Sequence, residues 1–300
     1  MIAPVDPTPL DEVAAEAQPR LLAIAYRMLG SMTDAEDVVQ EALLKAHRAA
    51  PSDLDAPVAY LTTLTTRTAI DHLRSARVRR ETYPGPWLPE PVPEDPAPDA
   101  SAPALLADSL SMAFLVVLES LSPEERAALL LHDVFGYSHA ELAGVLDRSE
   151  GASRQLLRRA RRRIEADRPR FDVDLERRDR LVRQFRAACE GGDLDAFLAV
   201  LTEDATLVSD GGGVVTAARR PVVGATRVAR FLANVVNRRV DDRELRPVTV
   251  NGQPALAFLF RGRLGLVVVL DPAPDGRIGT IRFVLNPAKL AHVRTAIEGG

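Results

Sequence analysis

Two stretches of arginine are the first feature of this sequence with a chemical consequence. From Arg148 to Arg170 there are nine arginines against three acids, Glu150, Glu165 and Asp167. From Arg67 to Arg80 there are five arginines and one acid, Asp71. A solvated helix face usually interleaves acids one turn away, and here the acids are too few. An unpaired arginine stripe repels itself unless a polyanion is present. The net charge of the whole chain is only −4, so the positive charge is concentrated locally.

Helical spacing sharpens the second stretch. On a helix from Ser149 to Ile164, Ala152, Leu156, Leu157, Ala160 and Ile164 share one face. Gly151, Arg154, Gln155, Arg158 and Arg162 lie opposite. Just before it, "SHAELAGVLD" reads as a short capped helix. A short helix, a tight turn and a longer basic helix form the helix-turn-helix pattern. Arg154, Gln155 and Arg158 then stand where base edges are read, Arg favouring guanine and Gln adenine. Arg159, Arg161, Arg162 and Arg163 suit phosphates, which give affinity without sequence information. In the first stretch, spacings of seven and three put Arg67, Arg74 and Arg77 on one face, with Asp71 between them to orient Arg67 or Arg74. The preceding "YLTTLTTRT" offers hydroxyls for phosphates or bases, or else a helix that buries its threonines.

Acid–base chemistry is sparsely equipped. After residue 171 the chain has one histidine, His292. Asp210, in "SDGGG", is the best carboxylate candidate, and no second group pairs with it from sequence. Asp204 reads as a turn or cap residue, and Phe258, Phe260, Val268 and Phe283 as plain core. The single cysteine, Cys189, excludes a disulfide framework and a multi-thiolate zinc site. No metal, cofactor or catalytic residue is expected, so the chain reads as a non-enzyme.

The elements that must position these residues fall into three blocks. Residues 11–81 read as helices: one stops at Gly30, a second opens at a Thr33/Glu36 capping box, and Asp55 caps a third, with Pro57 in its first turn. In the second, Val38, Leu43, Leu44 and Ala46 form the expected buried stripe. Residues 105–166 are helical again, with capping boxes at Ser122/Glu125 and Ser138/Glu141 and a cap at Ser149. Between the blocks, Tyr83 to Pro103 contains eight prolines, which excludes a helix and favours stiff, extended chain. Trp87 and Leu88, in "GPWLPEP", are two apolar side chains that a solvated spacer would leave exposed, so this stretch is expected to dock. From about 171 onward, helices near 175–190, 193–201 and 225–236 are joined by β-rich runs punctuated by "NGQ", "GR" and "PDGR". That block is an α+β domain with a curled antiparallel sheet. The N-terminus lacks a basic start and an apolar core, so it is no secretory signal. No apolar run reaches the roughly 18 residues of a membrane span. A cytoplasmic protein with no membrane partner is expected.

"RLLAIAYRMLGSMTDAEDVVQEALLKAHRA", "AYLTTLTTRTAIDHLRSARVRRE" and "LSPEERAALLLHDVFGYSHAELAGVLDRSEGASRQLLRRARRRI" resemble, in this order, an RNA polymerase sigma factor of the extracytoplasmic-function (ECF) type. With "GPWLPEP", "SDGGG" and "NPAKL", the whole resembles the SigJ-type subgroup, which ends in a SnoaL-like domain. The resemblance implies a multidomain fold: two all-α DNA-binding domains, the second a helix-turn-helix, then an α+β cone. It implies region 2 in 1–82, a linker in 83–104, region 4 in 105–170 and a regulatory domain in 171–300. Asp34, Glu36, Asp37, Gln40 and Glu41 would dock on the β′ clamp helices of the polymerase core, whose β flap is also a partner. Arg67, Asp71, Arg74 and Arg77 would face the minus-10 promoter element, and the loop "PSDLD" (51–55) would hold a flipped base. Ser153, Arg154, Gln155, Arg158, Arg159 and Arg162 would meet the minus-35 element. Trp87, Leu88, Asp210, Gly211, Gly212, Gly213, Asn286, Pro287 and Lys289 would make regulatory contacts. The subgroup has a basic residue after the glycines and an acid before the last lysine. Val214 and Ala288 stand there, which weakens a salt bridge between the two motifs. A small-molecule ligand of the C-terminal domain is a further partner to test. The alternative reading is a helix-turn-helix regulator with a ligand-sensing or cyclase/isomerase-like last domain.

Overall fold

The computed structural model describes residues 9–49, 55–93, 110–167, 175–237 and 242–298. The chain divides into two compact units. One holds residues 1–78, 95–109 and 117–167, and the other 79–94, 110–116 and 168–300.

The first unit is all α. Helix α1 (Pro9–Leu29) ends where Gly30 takes φ 68° and its N–H returns to the Tyr26 carbonyl. Helix α2 (Met32–Ala49) starts earlier than the Thr33/Glu36 pair suggests, because Ser31 Oγ accepts from the Asp34 N–H. Helix α3 (Pro57–Glu81) likewise opens with Pro57 as its first residue, and the Ala56 carbonyl takes the first intrahelical bond, so Asp55 lies one residue outside the cap. Leu21, Ile24, Tyr26 and Met28 pack with Ala35, Val38, Val39 and Ala42. Thr62, Thr65 and Thr66 are fully buried and so withheld from any nucleic acid, while Thr63 is half-buried and donates to the Ala59 carbonyl.

Helix α4 (Met112–Leu118) precedes α5 (Pro123–Leu129), whose capping box at Ser122/Glu125 is complete. One π-turn (Leu130–Val134) follows. Helices α6 (His139–Leu146) and α7 (Glu150–Asp167) are joined through Asp147, which adopts the left-handed conformation at φ 52°. Ser138 caps α6 in a full box, and Ser149 Oγ accepts from the Ala152 N–H at the start of α7. This is the helix-turn-helix geometry, held by Leu142, Val145, Leu156, Leu157, Ala160 and Ile164.

The second unit contains α8 (Leu175–Gly191), α9 (Leu194–Val200), β1 (Leu201–Asp210), β2 (Val222–Val223), α10 (Ala225–Asn237), β3 (Arg243–Val250), β4 (Gln253–Phe260), β5 (Arg263–Pro272), β6 (Ile278–Val284) and α11 (Ala291–Glu298). The sheet order is β2-β1-β6-β5-β4-β3. It is mixed rather than antiparallel throughout: β6 returns beside β1 in the same direction, while the other neighbours are antiparallel. The meander β3–β6 brings the last strand back against the first, and that closure imposes the parallel pair. One apolar cluster joins Leu207, Leu256, Val268 and Phe283 to Leu181, Phe185, Phe197 and Leu232 of the helices. The second joins Ala255, Ala257, Val267, Val269 and Val284 to Leu88, Met112, Leu290 and Val293. The described part of the proline-rich stretch, 83–93, therefore packs as a structural layer of this unit.

Candidate functional site

On α2, Glu36, Asp37, Gln40 and Glu41 are exposed, while Asp34 is half-buried with His72 Nε2 at 3.6 Å. Glu41 pairs with Lys45 at 2.8 Å. Leu44 belongs to this acidic face rather than to the buried stripe, being 57% exposed. The spacing 37, 40, 41, 44 places it there, one turn beyond Gln40 and Glu41.

On α3, the stripe is already engaged within the first unit. Arg67 donates from Nε to the Val145 carbonyl (2.8 Å) and from Nη2 to that of Gly144 (3.0 Å), at the C-terminal end of α6. A helix C-terminus carries unsatisfied carbonyls and partial negative charge, which suits a guanidinium. Arg74 donates to Asp71 (3.0 Å) and to Glu124 at the start of α5 (2.5 Å). Glu124 holds the Arg74 pKa above its usual value. The side chain of Arg77 lies outside the described residues, as does the loop 51–55 apart from Asp55.

On α7, Arg154, Gln155, Arg158, Arg159 and Arg162 are exposed. Arg154 meets Glu150 one turn back at 2.5 Å, a surface pair of small energy. Ser153 does not belong with them: it is fully buried, on the face of Leu157, Ala160 and Ile164 that packs into the core. Two arginines read as phosphate ligands are also tied down. Arg161 is held bidentately by Asp133 (2.9 and 2.5 Å), and Arg163 donates to Glu125 Oε2 and to the Ser120 carbonyl, both at 3.2 Å.

The densest polar cluster lies in the second unit. Asp210, at the end of β1, has no exposed surface. Its carboxylate accepts from the Tyr83 hydroxyl (2.5 Å), the Leu88 N–H (2.9 Å), the Gly212 N–H (3.0 Å) and Lys289 Nζ (2.7 Å). The ion pair between the two motifs is thus formed, by Asp210 and Lys289 themselves. Val214 and Ala288 are exposed beside it and take no part. Lys289 Nζ also donates to the Leu88 carbonyl, at 2.5 Å, and stands 4.0 Å from the centre of the Trp87 ring. Asn286 Nδ2 donates to the Tyr83 oxygen at 3.1 Å, while Pro287 is half-buried in the turn that follows. Burial, followed by the Asp210 charge, raises the Tyr83 pKa well above its usual value, so the phenol stays a donor.

The glycines are required by this packing. Gly212 and Gly213 have φ of 62° and 74°, and a side chain on them would meet Asn286 and Pro84. Tyr83, Glu90 and His292 complete the clamp and were not singled out by sequence. His292 Nδ1 lies 2.6 Å from Glu90 Oε1, and the Glu90 side chain is 2% exposed. Further along, the Val92 N–H donates to Asn251 Oδ1, and the Asn251 N–H returns to the Val92 carbonyl.

The helix-facing side of the sheet also encloses a cavity of about 300 Å³. Phe258, Phe260 and Phe283 line it together with Phe231, so these aromatics are not plain core. Phe258 and Phe283 belong at the same time to the core cluster, as does Val268, which does not line the cavity.

Residues 14–79 match the Sigma-70 region 2 model and residues 111–164 the Sigma-70, region 4 model. The ECF RNA polymerase sigma factor SigJ of Mycobacterium tuberculosis is 42% identical over 221 residues, covering 73% of this chain and 70% of its own length. The probable ECF RNA polymerase sigma factor SigI of the same species is 33% identical over 289 residues, 93% of this chain and 94% of that one. The crystal structure of the M. tuberculosis SigJ superposes with a TM-score of 0.72 at 33% identity, covering 94% of this chain and 98% of the other. The chain belongs to the ECF RNA polymerase sigma factors, which direct transcription initiation. Within that class it is of the SigJ type, two helical sigma regions followed by an α+β domain.

Proposed function

We propose that region 2 (1–82) binds the core polymerase through the acidic face of α2 and reads the minus-10 element with α3. Region 4 (105–170) reads the minus-35 element with Arg154, Gln155 and Arg158. The C-terminal domain (171–300) regulates both in cis by holding the linker between them. The Asp210–Lys289 clamp carries this reading, because it fixes Leu88, a residue that neither DNA-binding region needs for its own fold. The engagement of Arg67 and Arg74 by α6 and α5 supports a closed resting state, since neither guanidinium is free for phosphate while it serves those acceptors. A linker pinned along the sheet restricts how far the two regions separate, and a minus-10 and a minus-35 reader must stand about two helical turns of DNA apart.

The clamp is a regulatory contact rather than a catalytic one. Every oxygen of Asp210 is committed to a donor, and among the described residues the cavity wall contains one guanidinium and two hydroxyls but no carboxylate, imidazole or thiol. We therefore read the last domain as a regulatory module of a transcription factor and assign Asp210 no catalytic role.

In vitro transcription with core enzyme tests the closed state. Glu124→Gln weakens the tie between Arg74 and α5, and Lys289→Met loosens the clamp by removing its ammonium from Leu88 and Trp87. Each is expected to raise promoter-dependent transcription by the full chain about threefold or more, the scale of an equilibrium shifted by ~0.7 kcal/mol. Unchanged or reduced transcription in both variants would reject cis inhibition.

A further inference from the structure

The cavity on the helix-facing side of the sheet has a floor and a rim of different character. Phe258, Leu266, Phe283 and Val236 form a buried apolar floor. The rim is partly open, with Thr216 exposed and Phe231, Phe260 and Val235 half-buried. One cation stands in this wall. Arg243 donates to the Val236 carbonyl at 3.2 Å and to the Cys189 carbonyl at 3.0 Å, and it has no carboxylate partner among the described residues. An aromatic-lined cavity with one unneutralised guanidinium favours an apolar body carrying a negative head. At an upper bound of about 30 Å³ per atom, a water's share of liquid volume, about 300 Å³ admits at least roughly ten non-hydrogen atoms.

The same wall is continuous with the linker clamp. Ser209 lines the cavity and precedes Asp210, and Leu285 lines it and precedes Asn286. The loop from Gly211 leaves the clamp and returns as Thr216, Ala217 and Ala218 on the rim. There the Ala218 N–H donates to Ser209 Oγ at 2.8 Å. A body seated against Ala217 and Ala218 presses on the loop that supplies the Gly212 N–H to Asp210.

We propose that this cavity is a binding site for a compact aromatic or alicyclic carboxylic acid, and that its occupancy is coupled to the linker clamp through residues 209–218 and 283–289. The coupling gives the cis regulation proposed above a chemical input and rests on that reading; the binding site stands without it.

The test is calorimetric titration of the full chain with 2-naphthoate and with its neutral isostere naphthalene-2-carboxamide, without DNA or polymerase. One saturable site is expected for 2-naphthoate. Phe258→Trp fills the floor and Ala218→Leu fills the rim; each is expected to weaken binding at least about tenfold. Arg243→Gln keeps donors for the two carbonyls and removes the charge. It is expected to weaken naphthoate by about tenfold and leave the carboxamide nearly unchanged. If Phe258→Trp fails to fold, Ala218→Leu decides alone. No saturable heat up to about 1 mM ligand, a −4 kcal/mol threshold, or binding that survives the filling variants would overturn the site. Asp210→Asn is expected to change naphthoate affinity about fivefold, the lower range of allosteric coupling. An unchanged affinity there would overturn the coupling while leaving the site and the transcription result independent.

Discussion

Lys289 Nζ sits 2.7 Å from Asp210 Oδ2 and 4.0 Å from the centre of the Trp87 ring, so one ammonium joins the last motif of the chain to the first strand and to the linker. Both partners of this ion pair are buried, the Asp210 side chain completely and that of Lys289 to 10% exposure.

Asp210→Asn leaves the Lys289 ammonium buried beside a neutral amide. Removing one partner of a buried pair costs about 3–5 kcal/mol, because the remaining charge is uncompensated. Urea unfolding of the full chain followed by circular dichroism should show a transition of the C-terminal unit displaced by about that much. Lys289→Met, which removes the charge but leaves the carboxylate three further donors, should cost less.

Arg158→Ala should weaken binding to a cognate minus-35 sequence by about 1–3 kcal/mol and relax base preference at one position. Arg154→Ala should act in the same way, because its pair with Glu150 is too exposed to matter for folding. Arg162→Ala should weaken binding to all sequences alike and lower the salt slope by about one. Gel-shift titrations at several salt concentrations separate these outcomes, and core-enzyme binding should be unaffected in all three.

Burial raises the Cys189 thiol pKa to about 12, with the nearby Arg243 charge opposing the shift. At pH 8 its thiolate fraction is then about 10⁻⁴, so the folded chain should resist a thiol-specific reagent that labels the urea-unfolded chain at once. The folded pKa lies above the unfolded value of about 8.5, so the protonated thiol's stabilisation is complete below pH 8.5 and lost as pH climbs towards 12. The limiting slope is about 1.4 kcal/mol per pH unit. Tyr83, also raised, adds a loss of the same sign above about pH 10. Cys189→Ala should remove the earlier part of this decline in a pH series of denaturation curves.

The helix-turn-helix was legible because its signals are local: a capping box at Ser138/Glu141, a serine cap at Ser149, a three-residue turn and a spacing that separates Leu156 and Leu157 from Arg154 and Arg158. Ser153 shows the limit of that reading. Its position four residues before Leu157 places it on the packed face, a consequence of helical period that residue type hides. Clamp motifs were visible as words, but the Asp210–Lys289 pair spans 79 positions and depends on β6 returning parallel to β1. A long-range pairing of that kind has no local sequence signature. Phe258 and Phe283 read along their strands as ordinary core residues do, and the cavity they line is closed by Phe231, Val235 and Val236 of α10, far away in sequence. Arg67 and Arg74 read as outward-facing charge because their acceptors, two helix-end carbonyls and Glu124, come from helices far along the chain.

Trp87 is the only tryptophan of the chain. Its indole stands against the Lys289 ammonium, inside the clamp. The tryptophan emission of the molecule is therefore an optical signal from the clamp, without a label or an engineered dye. Lifting the linker away takes a cation off the indole face and admits water to it. The protein carries a native fluorescent gauge of whether the Trp87 segment is seated in the clamp or lifted from it.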